Sequence, residues 1–154
     1  MLDTRVPLIA EFLKDHQQFM KLMFAVRNLL KDGRFDEARQ LAVELDSIAG
    51  PHIAFEEQQL YMMLVELGET SVTSDELIGE HHVVLNALRQ LLRSESEDKA
   101  DLQSIIDGFD SGLRHAEHCG SMVSLLTQLD DHRQEECLAE LVGLRDLGGN
   151  WTEL

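Results

Sequence analysis

The chain has 154 residues, enough for one well-buried core and short for two, and carries 13 basic against 29 acidic side chains for a formal charge of −16. A surface that negative repels phosphate backbones and anionic lipid, which argues against nucleic acid and membrane surfaces as partners. Two cysteines, Cys119 and Cys137, are too few for a disulfide framework, no run of about 18 apolar residues occurs, and MLDTRVPLIAEFLKDH has acids where a secretory leader needs a basic flank. The expectation is a soluble, cytoplasmic protein.

Two prolines and ten glycines interrupt a chain otherwise made largely of helix formers, with apolar residues recurring at three and four rather than two, which predicts an all-helical fold. The first helix is predicted from about Val6 to Lys31, with Pro7 in its first turn and Gly33 of KDGRF as its left-handed cap. A second runs from about Asp36 to Leu67 and ends before Gly68; Gly50-Pro51 is expected to kink it directly before His52. Thr73 and Glu76 form a capping box that opens a third helix, continuing to about Arg93, and SESEDK is the next turn. A long fourth helix spans about Lys99 to Leu129, and a shorter amphipathic one spans about His132 to Leu147, stopped by GGN. Short loops make sequential helices antiparallel neighbours. The predicted fold is therefore an up-down-up-down four-helix bundle over about 6–129, with an additional C-terminal helix over about 132–147, in a single domain of 1–154.

Histidines fall at matched heights on these helices. His16 and His52 lie 17 and 19 residues either side of Gly33; Glu56 and His81 lie 15 and 10 either side of Ser71; His81 and His115 lie 16 and 18 either side of Glu97. At about 1.5 Å of rise per residue, these mismatches are on the order of one turn. His16 shares a stripe with Leu13, Met20, Met23 and Leu30, and His81 one with Leu77, Val84, Leu88 and Leu91. On the fourth helix Leu102, Ile105, Phe109 and Gly112 lead to His115, with Cys119, Met122 and Leu126 beyond, and Gly108 and Gly112 are expected to leave room there.

The stretch GPHIAFEEQQLY sets His52 and Glu56 one turn apart on one face, whereas Glu57 is turned about 100° away and is expected to be solvated or paired. One histidine on an apolar stripe is ordinarily a hydrogen-bonded core residue, and Met20, Met23 and Phe109 read as packing. Four imidazoles and a carboxylate buried together, one histidine per helix, are a costly polar cluster without a cation. Imidazole and carboxylate converging in a bundle core is how such folds hold iron and manganese.

These residues resemble the hemerythrin-like, or HHE cation-binding, family. HIAFEEQQLY is similar to its second-helix signature, KDHQQFM to its first-helix histidine segment, and GEHHVVLNALRQLL to its third, over about residues 6–129. The resemblance implies a non-haem di-iron site with His16, His52, His81 and His115 as terminal ligands and Glu56 as bridging carboxylate. The fourth helix departs from the pattern: HAEHCGS has Cys119 where the family places a glutamate, with His118 as an alternative one step off the face. His132 and Glu136 have the family's spacing too, but over 25 Å beyond the level of His115 if the helix is continuous, and read as an exposed ion pair. The predicted metal ligands are thus His16, His52, Glu56, His81, His115 and Cys119.

No nucleotide loop, Ser/His/Asp constellation or phosphate clamp is present. The expected function is a non-haem iron protein of hemerythrin type that binds or senses a small diatomic ligand, O2 or NO, or handles iron. An enzyme reducing peroxide or NO, or oxidising ferrous iron, is the first alternative. A helical domain with a structural zinc or a protein partner, a homodimer included, is the second, and Cys119 brings zinc nearer.

Overall fold

The computed structural model describes residues 7–68, 73–93 and 99–154. The predicted turns at 94–98 and about Ser71, and Val6 at the predicted start of the first helix, lie outside the described residues. All regular structure among the described residues is helical, with no strand. Helix α1 spans Pro7–Lys31 and buries Leu8, Ile9, Phe12, His16, Phe19, Met23, Val26 and Leu30, a stripe at three- and four-residue spacing. Gly33 caps it at φ 75°, and the Arg34 N–H reaches back to the Leu29 carbonyl at 2.9 Å.

Helix α2 spans Phe35–Phe55, a π-helical turn follows at Glu56–Leu60, and α3 spans Tyr61–Glu66. Gly50 and Pro51 lie inside α2 rather than between two helices. The helix continues through Pro51, and the change in hydrogen-bond pattern comes one turn later. Helix α4, Ser74–Arg93, opens on the predicted box: the Glu76 N–H donates to Thr73 Oγ1 at 3.1 Å and the Thr73 N–H to Glu76 Oε2 at 3.4 Å. Helix α5 is Lys99–Met122, and the predicted last turns of that helix tighten into a 3₁₀ segment, Val123–Gln128. Helix α6, Asp131–Leu147, is capped by the Asp130 carboxylate, which accepts from the Arg133 N–H, and a 3₁₀ turn at Trp151–Glu153 follows.

Helix α1 packs on α2 and α5, and α4 packs on α5 and α2. Paired residues run in opposite senses along α1 and α5: Arg27 donates to Asp110 at 2.8 Å, while His16 donates to the Ala116 carbonyl at 2.7 Å. The room expected at Gly108 and Gly112 is taken by α4. A Cβ at Gly108 would come within 2.5 Å of Ala87 Cβ, and one at Gly112 within 2.6 Å of Val84 Cγ2. Helix α6 lies against α1 and α2, tied by Arg145 to Glu11 and Asp15 and by the Cys137 thiol on Met63.

The apolar interior is in two parts. One gathers Phe19, Met23, Leu45, Ile53, Leu88 and Phe109; the other gathers Leu8, Phe12, Phe55, Leu64, Leu126 and Leu141. Between them lie His16, His52, Glu56, His81 and His115, all buried. Among the described residues no helix is long and apolar enough to cross a membrane.

Candidate metal centre

The centre is built around the Glu56 carboxylate, which is 1% exposed. On one side His52 Nε2 lies 2.7 Å from Oε1, and His16 Nδ1 lies 3.2 Å from the same His52 nitrogen and 3.8 Å from Oε1. On the other, His81 Nε2 lies 3.1 Å from Oε2 and the Tyr61 hydroxyl donates to Oε2 at 2.6 Å. Tyr61 Oη also lies 2.7 Å from His81 Nε2 and 3.2 Å from His115 Nε2. Two groups of ligand atoms result, each mutually within 4.8 Å: His16, Glu56 and Cys119, and Glu56, His81 and His115. They share Glu56.

The π turn explains why Tyr61 is there. Its i to i+5 bond runs from the Tyr61 N–H to the Glu56 carbonyl, so residue 61 rather than 60 stacks over Glu56. Glu57, expected to be solvated or paired, is paired: it accepts from His81 Nδ1 at 3.0 Å. Glu80, at the N-terminal side of His81, accepts from His115 Nδ1. Sequence reasoning missed Tyr61, Glu57 and Glu80 as parts of the site. A period of four cannot find Tyr61, whereas a second carboxylate beside Glu56 and one beside His81 were visible in FEE and GEHH.

The outer ring nitrogens fix the inner ones. His16 Nε2 faces the Ala116 carbonyl, His81 Nδ1 faces Glu57 and His115 Nδ1 faces Glu80, so each outer nitrogen carries its proton and the inner nitrogen turns to the cluster. His52 differs: its Nδ1 is buried with no partner. His52 lies in neither ligand group and joins the centre through its 2.7 Å contact with Glu56; His118 is also in neither group and is only half-buried, and His132 with Glu136 forms an exposed pair at 2.9 Å on α6.

Burial works against charge on Glu56, but the His52 charge and the contacts from His16, His52 and His81 outweigh it and hold its carboxyl well below the usual range. Burial opposes protonation of His81 as well, yet its bonds to Glu56 and Glu57 prevail and raise it to about 9. His16 is raised against burial by Glu56, whereas burial and the neighbouring His81 lower His115. Burial, reinforced by the Glu56 charge, pushes the Cys119 thiol and the Tyr61 phenol well up. The cluster thus holds protons on atoms that face one another around one carboxylate. A cation fits this donor set: four imidazoles, a carboxylate and a thiol converge, with the rings of His16, His81 and His115 already oriented by their outer bonds.

The family model of the hemerythrin HHE cation binding domain matches residues 8–136. No curated protein and no solved structure matches the chain at a significant level. The match takes in every ligand atom of both groups around Glu56, and the chain belongs to the hemerythrin HHE cation-binding domain family.

Proposed function

We propose that the chain is a cytoplasmic non-haem iron protein that takes up a small diatomic ligand, O2 or NO, at a two-iron centre in a single domain. In this reading α1, α2 with α3, α4 and α5 form an up-down-up-down bundle with α6 appended. His16, His52, Cys119 and Glu56 would hold one ion, and Glu56, His81 and His115 would hold the second. The two-sided use of the Glu56 carboxylate is the observation that carries this reading. Bound iron would supply one-electron redox chemistry and affinity for a diatomic ligand.

The chain's own groups do the rest. Glu57 and Glu80 hold the His81 and His115 rings in one orientation. Tyr61 keeps its proton on Oη and lies against the His81 and His115 nitrogens, where it is the hydroxyl able to donate to a polar guest. No residue of the cluster, Tyr61 and Cys119 included, is more than 5% exposed, which favours a guest of a few atoms over an organic substrate. Elemental analysis of protein purified without a histidine tag and reconstituted without air tests the reading: about two irons per chain are expected. A folded protein that takes up only zinc would instead support the structural reading that the buried Cys119 thiol favours.

A further inference from the structure

Residues 148–154 lie beyond the segment matched by the family model, yet they reach the centre. After α6 the chain passes Gly148 and Gly149, both at positive φ, and turns down between α2 and α4. Trp151 is 2% exposed. Its ring stands edge-on to His81 with centroids 6.2 Å apart, and to Phe19 at 5.7 Å.

Three features of the body serve this segment. Asp46, 5% exposed, accepts from the Thr152 N–H at 2.9 Å and from the Thr152 hydroxyl at 2.8 Å. A buried carboxylate is costly unless bonded, and these two bonds to Asp46 come from the tail. Arg89 donates to the Thr152 carbonyl at 3.2 Å from the α4 side. Gly50 lies under the Gly149 carbonyl, whose oxygen would be 2.0 Å from a Cβ built at position 50. A carboxylate, a guanidinium and a bare helix position on two helices thus fit one short segment.

We propose that residues 148–154 are a releasable cover over the centre, with Trp151 setting which molecules reach His81 and with Asp46 and Arg89 as its latch. Opening the cover breaks three hydrogen bonds and withdraws one ring, leaving the helices in place. A docked tail confines access to molecules of a few atoms; an undocked tail admits chelators and thiol reagents. The proposal deepens the metal reading as far as His81 is a ligand, but the cover itself is testable without metal.

The test uses the full chain in a Cys137→Ser background, leaving Cys119 as the sole thiol. Two substitutions undock the tail by different routes: Trp151→Ala removes the ring, and Gly50→Ala puts a methyl group against the Gly149 carbonyl while improving helix propensity in α2. In metal-free protein, alkylation of Cys119 by iodoacetamide is expected to accelerate at least tenfold in both, with native helical circular dichroism, and to stay near the parent rate in Trp151→Phe. Phe35→Ala, a core truncation far from the tail, measures how much comes from general loosening. In protein loaded with ferrous iron, extraction by a chelator should accelerate in the same order. Rates in Trp151→Ala and Gly50→Ala no faster than in Phe35→Ala overturn the cover. Faster alkylation in a chain that binds no iron keeps the cover and rejects the metal reading; iron binding with neither rate changed does the reverse.

Discussion

Glu56 and Glu57 are neighbours in sequence with different work to do. Glu56 has both oxygens inside the cluster, so Glu56→Gln removes the one negative charge common to both ligand groups, and the bound iron count is expected to fall from about two to one or none by elemental analysis. Glu57 touches only the outer nitrogen of His81. Glu57→Gln is therefore expected to keep the iron count and weaken affinity by roughly 10- to 100-fold, the usual effect of losing an orienting carboxylate. Titration against a competing chelator separates the two. Equal effects would mean that Glu57 is itself a ligand. Of the five residues placed on the inner face, His16, His81 and His115 were legible because each sits on a stripe of apolar neighbours, and His52 and Glu56 because they stand one turn apart on one helix face; all five are buried. Cys119 was legible from its apolar stripe as well. Tyr61 was not, since its place depends on a five-residue turn that no four-residue spacing reveals.

At the scale of elements, α4 and α5 approach each other over glycine. Gly108→Ala improves helix propensity by about 1 kcal/mol, but its methyl would lie 2.5 Å from Ala87 Cβ, which is fixed to the α4 backbone and cannot turn away. Overpacking of this kind costs about 1–3 kcal/mol, so a net loss of stability is expected in urea denaturation. Docking of α6 depends on charge. Hydrogen bonding to Arg145 holds the Glu11 carboxyl below its ordinary value, so that pair stabilises the fold above the unfolded carboxyl pKa of about 4.3 and is lost as pH falls through the lower folded value. Both side chains are partly exposed and the effect is small. Arg145→Met should accordingly lower the urea midpoint slightly and by a constant amount at neutral pH, the difference from the parent shrinking as pH falls below about 4.3. The helices themselves were readable from periodicity and caps, down to the Thr73/Glu76 box. The π turn and the 3₁₀ end of the α5 segment were not, because both are set by packing against other helices rather than by local propensity.

Over the whole molecule, a formal charge of −16 surrounds the proposed metal centre. Ferrous iron should be drawn toward the surface from several ångströms away, and its uptake rate is expected to fall several-fold between about 10 and 150 mM salt as the Debye length shrinks from about 30 to 8 Å. Stopped-flow uptake at varied ionic strength checks this, and a rate indifferent to salt would place the slow step inside the protein. The division of the interior has another consequence. A polar belt between two apolar clusters is a waist: above and below it, side chains cohere by contact with one another, while across it cohesion runs through five ionisable groups. Without a cation to bind that layer together, the two ends are only loosely obliged to unfold at the same moment. Amide hydrogen exchange on metal-free protein should then resolve two sets of opening energies, one for amides near Phe109 and Leu88 and one for amides near Leu64 and Leu126, which merge once the belt is filled. The metal would in that case act as the rivet that turns two small folding units into one.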